Sequence, residues 1–187
     1  MKAKASDTVS GIVERPTRIG HNVDINVHWA WEHFRKGVLI DKWEYDNVCT
    51  DEGLDHMLDS TFDSATQITA WYVEIFEDDV TPDGDTTYAV PVYTPSDAYD
   101  EATRPAYVAA AAASQVTTNA ASKAVFTIDA TKTIYGAALV GGGSDGDTPK
   151  DVAGGGTLFS GSKFAASKSV VDDDVLNVTI AITLADS

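Results

Sequence analysis

The stretch Ile68-Thr69-Ala70-Trp71-Tyr72-Val73-Glu74-Ile75-Phe76 limits what this chain can fold into more than any other part of it. Aromatic and β-branched residues crowd into it, and Glu74 is its only charge. Such a run fits a pleated, mostly buried strand better than a helix. A period of two sends Trp71, Val73 and Ile75 to one face and Tyr72, Glu74 and Phe76 to the other. The chain then turns polar at Glu77-Asp78-Asp79 and reaches a turn at Thr81-Pro82-Asp83-Gly84-Asp85. The expectation is a central strand of a β-sandwich, with the other apolar strands assembled around it.

Those strands are readable on both sides. In Val23–Phe34 the residues Val23, Ile25, Val27, Trp29 and Trp31 alternate with mostly polar partners, the pattern of a half-buried strand. Arg35-Lys36-Gly37 supplies a hairpin turn, and residues 38–45 return as the second strand. Residues 50–59 read as the one convincing helix. Thr50 caps it, Asp51 and Glu52 suit the positive end of its dipole, and Leu54, Met57 and Leu58 form an apolar stripe that Phe62 extends. Laid over the hairpin, that helix would plug one end of the sandwich.

Residues 81–105, rich in Pro, Asp, Thr and Tyr, read as a long surface excursion with a short strand at Ala89–Tyr93. Ala109 to Ala113 fits either a short helix or a tightly packed edge segment. Further strands are expected at Ala124–Ile128, Thr133–Val140 and Val175–Leu184, with Leu158-Phe159 and Phe164-Ala165 as short apolar pieces. Glycine-rich segments at 141–147 and 153–156 flank a loop. Many short strands with one helix predict a mainly β fold, an antiparallel β-sandwich or jelly-roll-like body over 23–187. Residues 1–22 lack periodicity, are interrupted by Gly11, Pro16 and Gly20, and read as an extended N-terminal arm.

Charge narrows the partners. Of the net −16, the span Asp41–Thr103 accounts for seventeen acidic residues against Lys42 alone. The first forty residues balance at +2 and those after Thr103 at −2. Phosphate neutralisation needs lysine and arginine, so nucleic acid is not an expected direct partner. A solvated surface accounts for an acidic middle in general; a basic arm or acidic face docking on a complementary protein surface is the sharper reading. No run approaches the ~20 apolar residues of a membrane span. Neither a secretory h-region nor a second cysteine accompanies Cys49, so folding in a reducing cytoplasm is expected.

Chemistry is sparse. His21, His28, His33 and His56 offer no metal spacing, since His28 and His33 fall on opposite faces of one strand. Cys49 beside the helix start is open to a lowered thiol pKa, but without a nucleophile signature a small buried role is preferred. Asp83-Gly84-Asp85, Asp145-Gly146-Asp147 and Asp172-Asp173-Asp174 supply calcium-type oxygens, yet none continues into an EF-hand pattern, and turn formation accounts for them. Paired-carboxylate hydrolysis stays open on residue types alone. No catalytic, metal or cofactor site is expected.

Several phrases in order carry a likeness: Gly37-Val38-Leu39-Ile40, Thr50 to Leu58, Ala70 to Phe76, Tyr99 to Pro105, Ser122 to Thr127, Ile134 to Leu139 and Asp173 to Thr179. In this order the chain resembles a group of small structural proteins of tailed bacteriophages over roughly residues 30–184, although that group often has Gly where Glu74 stands. The resemblance implies a virion component without enzymatic activity or cofactor, foremost a decoration (cement) protein outside the capsid. Its partners would be the major capsid protein and copies of itself, a trimer being favoured. Residues 1–22 would then be the docking arm, with Lys2, Lys4, Arg15 and Arg18 as its cations. A neck, tail or fibre-associated adaptor is the alternative within a virion. Outside one, it is a carbohydrate-binding sandwich with Trp29, Trp31, Trp43 or Trp71 as a stacking platform.

Overall fold

The structure, a computed structural model, describes residues 23–143 and 155–186. Among these described residues, nine strands and one helix follow in order: β1 (Val23–Arg35), β2 (Val38–Cys49), α1 (Asp51–Phe62), β3 (Trp71–Phe76), β4 (Ala106–Tyr107), β5 (Val116–Thr118), β6 (Ala124–Thr127), β7 (Lys132–Gly141), β8 (Thr157–Val170) and β9 (Asp174–Asp186). The fold is mainly β, with antiparallel pairing throughout, in the order β4-β3-β7-β8-β2-β1-β9-β5; β6 lies beside β9.

This sheet curls on itself. Strands β2 and β8 meet through only two residue pairs, Val48–Gly161 and Cys49–Ser160. That joint is a corner between β2-β1-β9 on one side and β8-β7-β3 on the other. Side chains from both halves fill one core: Trp29 and Trp31 of β1 and Val178 and Ile180 of β9 meet Val73, Ile75, Leu139 and Phe164. The architecture is β-sandwich-like, as the period-two pattern predicts.

The β1–β2 hairpin forms where expected, its turn made by Lys36 (φ 51°) and Gly37 (φ 75°). Across it Trp31 opposes Trp43 and Trp29 opposes Tyr45, with stacked rings 5.5 and 6.1 Å apart. Phe164 of β8 closes on this ladder edge-on to Trp31 and Trp43, at 5.3 and 5.5 Å. Alternation weakens at the start of β1: Val23 is exposed and Ile25 only half-buried, because the core ends before them.

Strand β3 lies next to the two-residue edge strand β4 instead of at the middle of a sheet, yet both of its faces are covered. Val73 and Ile75 enter the main core. Phe76 and Tyr72 enter a second cluster with Tyr88, Tyr93, Ala138, Val140 and Leu158. Residues 77–105 make that second layer, so they are a packed cover and not a surface excursion. No strand forms at Ala89–Tyr93. Pro91 and Pro95 cannot donate to a ladder, and the backbone is tied elsewhere, by Ser96 N–H to the Ile75 carbonyl (2.8 Å) and Thr94 N–H to Asp78 Oδ2 (2.5 Å).

The apolar pieces at 158–159 and 164–165 belong to the single 14-residue strand β8. Ser160 and Gly161 between them are buried where β2 crosses, which hides the strand from a hydropathy reading. Ala109–Ala113 takes the edge alternative: Ala110 N–H reaches the Thr118 carbonyl at 2.9 Å and Ala113 pairs with Val116 around a Ser114–Gln115 turn. Five alanines are too few to nucleate a helix against that pairing.

Candidate functional site

Helix α1 stands between two indentations of the surface. Thr50 caps it as expected, its Oγ1 accepting from Gly53 N–H at 3.1 Å while its hydroxyl donates to the Leu158 carbonyl. Gly53 lies directly on β8, where a Cβ would come 2.7 Å from the Phe159 carbonyl oxygen. The helix therefore docks on β8 and not on the β1–β2 hairpin. Met57 packs against the core, but Leu58 is 57% exposed and Phe62 82%, so the apolar stripe is narrower than predicted.

On one side of α1 a groove of about 530 Å³ opens at the end of the sandwich. Its walls include Met57, Ile68, Trp71, Tyr107, Leu139, Phe159 and Leu184. On the other side lies an acidic cleft of about 480 Å³ lined by Asp51, Glu52, Asp55, Asp59 and Asp85. His56 borders both and meets Trp71 edge-on. Glu52 is already engaged there, accepting from the Tyr88 and Leu158 N–H groups at 2.9 and 2.7 Å. Among the described residues no group of His, Cys, Asp or Glu has the arrangement of a metal site.

The acidic runs at 83–85 and 172–174 have structural roles. Asp83 Oδ1 accepts from the Thr86 hydroxyl at 2.8 Å, which makes Asp83-Gly84-Asp85 a turn. Asp174 is sealed from solvent between Arg35 (2.8 and 2.7 Å) and His33 (2.8 Å). Burial works to raise its pKa, but Arg35, the Val171 N–H and His33 outweigh that and hold the carboxylate far below its usual range. Asp145 and Asp147 lie outside the described residues.

His33 points inward and His28 outward to Asp46 (2.9 Å), so the two do not converge, as the strand period predicts. His21 lies outside the described residues, as do Lys2, Lys4, Arg15 and Arg18. Burial, seconded by Asp51, pushes the Cys49 thiol up to about 11, and Sγ donates to the Phe159 carbonyl at 3.3 Å. That is the inert, partly buried role and not a poised thiolate. Trp29 and Trp31 are interior, Trp43 lies under the Lys168 ammonium (4.2 Å), and Trp71 is half-buried against Phe159, so the four tryptophans form no shared open platform.

One buried ion pair is not predicted by the local sequence pattern. Glu74 Oε2 and Arg104 Nη2 lie 2.5 Å apart, both side chains buried in the layer formed by residues 77–105. Burial pushes the Glu74 carboxyl above its usual range and the Arg104 guanidinium opposes it. The available signal was the lone charge of an apolar strand, followed by the first cation after a long acidic span.

Comparison with models of known protein families and with curated protein sequences finds no match.

Proposed function

We propose that this is a structural protein of a tailed-phage virion, and within it a capsid decoration (cement) protein that binds the major capsid protein from outside and braces the shell. The observation that carries this reading is where the phage-like phrases fall. Thr50 to Leu58 is the capped helix docked on β8, and Ala70 to Phe76 is the strand covered on both faces. Tyr99 to Pro105 delivers Arg104 to Glu74 and the Pro105 carbonyl to Val73 N–H (2.8 Å). Ile134 to Leu139 carries Gly136, where any Cβ would overlap the Phe76 ring. Asp173 to Thr179 carries buried Asp174. These five phrases specify scaffold contacts, as a rigid brace requires.

Exposed Val38, Leu39 and Ile40 at the hairpin tip offer apolar surface for contacts with neighbours, and trimers match threefold positions of an icosahedral shell. Cryo-electron microscopy of the particle tests the reading: density for the sandwich across the capsid exterior, in copies on the order of hundreds, is expected of a shell-wide lattice. A handful of copies at the neck or tail would assign it to an adaptor instead. Removal of residues 2–20 is expected to abolish shell binding while the body stays folded. Undiminished binding would remove the arm from this account.

A further inference from the structure

The groove beside α1 has an apolar floor, and Leu184 at its rim is 37% exposed. The Tyr107 hydroxyl in its wall is buried without a hydrogen-bond partner of good geometry. Across His56 stands the acidic cleft, whose lining contains no lysine or arginine. An occupant that suits both would be an extended segment with aliphatic side chains for the groove, cations for the cleft and backbone groups for Tyr107.

The chain contains such a segment, attached at the right place. Residues 1–22 lead into Val23, which pairs with Asp186. Two residues on, Ile25 pairs with the groove residue Leu184, so the chain enters β1 at the groove's own end of the sandwich. The segment carries Lys2, Lys4, Arg15 and Arg18 against Asp7 and Glu14, and Ile12, Val13 and Ile19 lie among them. We propose that the groove is the docking site of this chain's own residues 9–19, held in cis, with the aliphatic side chains on its floor and Arg15 and Arg18 toward Asp55 and Asp59. A tether this short sets an effective concentration on the order of millimolar, so weak contacts suffice and a second copy competes poorly. This goes beyond the virion reading and does not depend on it: the free protein parks its arm, and any outside partner of the arm must displace the groove.

The test compares the full chain with one lacking residues 2–20, using the Met57 methyl and Trp71 indole resonances, with no shells present. Both signals are expected to move on truncation and to return when a peptide of residues 1–22 is added. The exposed pair Asp55→Lys and Asp59→Lys, which leaves the core untouched, is expected to weaken peptide binding roughly tenfold and to move the full-length signals toward the truncated positions. Unmoved signals on truncation overturn the proposal. So do signals that follow protein concentration together with a mass above the monomer's, which would give the groove to a second copy. Failure here leaves shell binding untouched, and failure of shell binding leaves this result standing.

Discussion

Glu74 Oε2 and Arg104 Nη2 face each other at 2.5 Å across the outer side of β3, with both side chains closed to solvent. Arg104 Nη1 also donates to the Tyr88 hydroxyl at 2.7 Å, so the pair ties β3 to the segment that covers it. Two desolvated charges are costly, and such a pair specifies which layer lies where more than it adds stability.

Removing one partner is therefore worse than removing both. Arg104→Met should cost about 3–5 kcal/mol in urea unfolding, because it strands a buried carboxylate, while Glu74→Leu with Arg104→Met should recover most of the loss. The pH dependence has a definite sign. A carboxyl whose folded pKa is raised holds more protons folded than unfolded, so stability falls as pH climbs from the unfolded carboxylate range. Arg104→Met should accordingly be hurt less at about pH 4 than at pH 7. Equal damage at both would mean Glu74 does not sense its partner.

Asp174 predicts the opposite limb. Its folded pKa is depressed, chiefly by Arg35, so the stability it contributes is present above the unfolded carboxylate pKa and is lost as pH falls through the folded one. Asp174→Asn should cost about 3 kcal/mol near neutrality and flatten the acid side of the stability profile. An acid limb of unchanged slope would place that titration elsewhere.

Helix docking gives a third test. Gly53→Ala should cost about 1–3 kcal/mol, since its Cβ meets the Phe159 backbone and neither element can yield freely. Thr50→Ala should cost about 1 kcal/mol through loss of the cap. Leu58→Ala, at an exposed site, should be nearly silent in the same thermal melts.

What was legible in the chain was local. The Lys36–Gly37 turn, the Thr50 cap and the alternation of Leu176, Val178 and Ile180 each follow from a few adjacent residues, and each stands where it was expected. The cover at 77–105 was illegible because Tyr88, Tyr93, Ala98 and Tyr99 are buried without any period, by contacts with strands far away in sequence. β8 was illegible because its middle is serine, glycine and lysine; its strand character comes from β7 alongside it. Of the candidate site, α1 and its acids could be read, but the groove could not, since its walls come from six separate strands and the helix.

The aromatic ladder makes the last prediction. Phe164 of β8 meets Trp31, Trp43 and Tyr45 together, so it ties the two sheet halves beyond the two β2–β8 backbone pairs at Val48–Gly161 and Cys49–Ser160. Phe164→Ala should cost about 3–5 kcal/mol. It should also collapse the near-ultraviolet circular dichroism of the tryptophans, whereas Phe62→Ala, at a side chain 82% exposed, should leave both stability and spectrum unchanged. A Phe164→Ala protein with wild-type melting would mean that the two halves are held by the chain connections alone, and the sandwich would then need another source of closure.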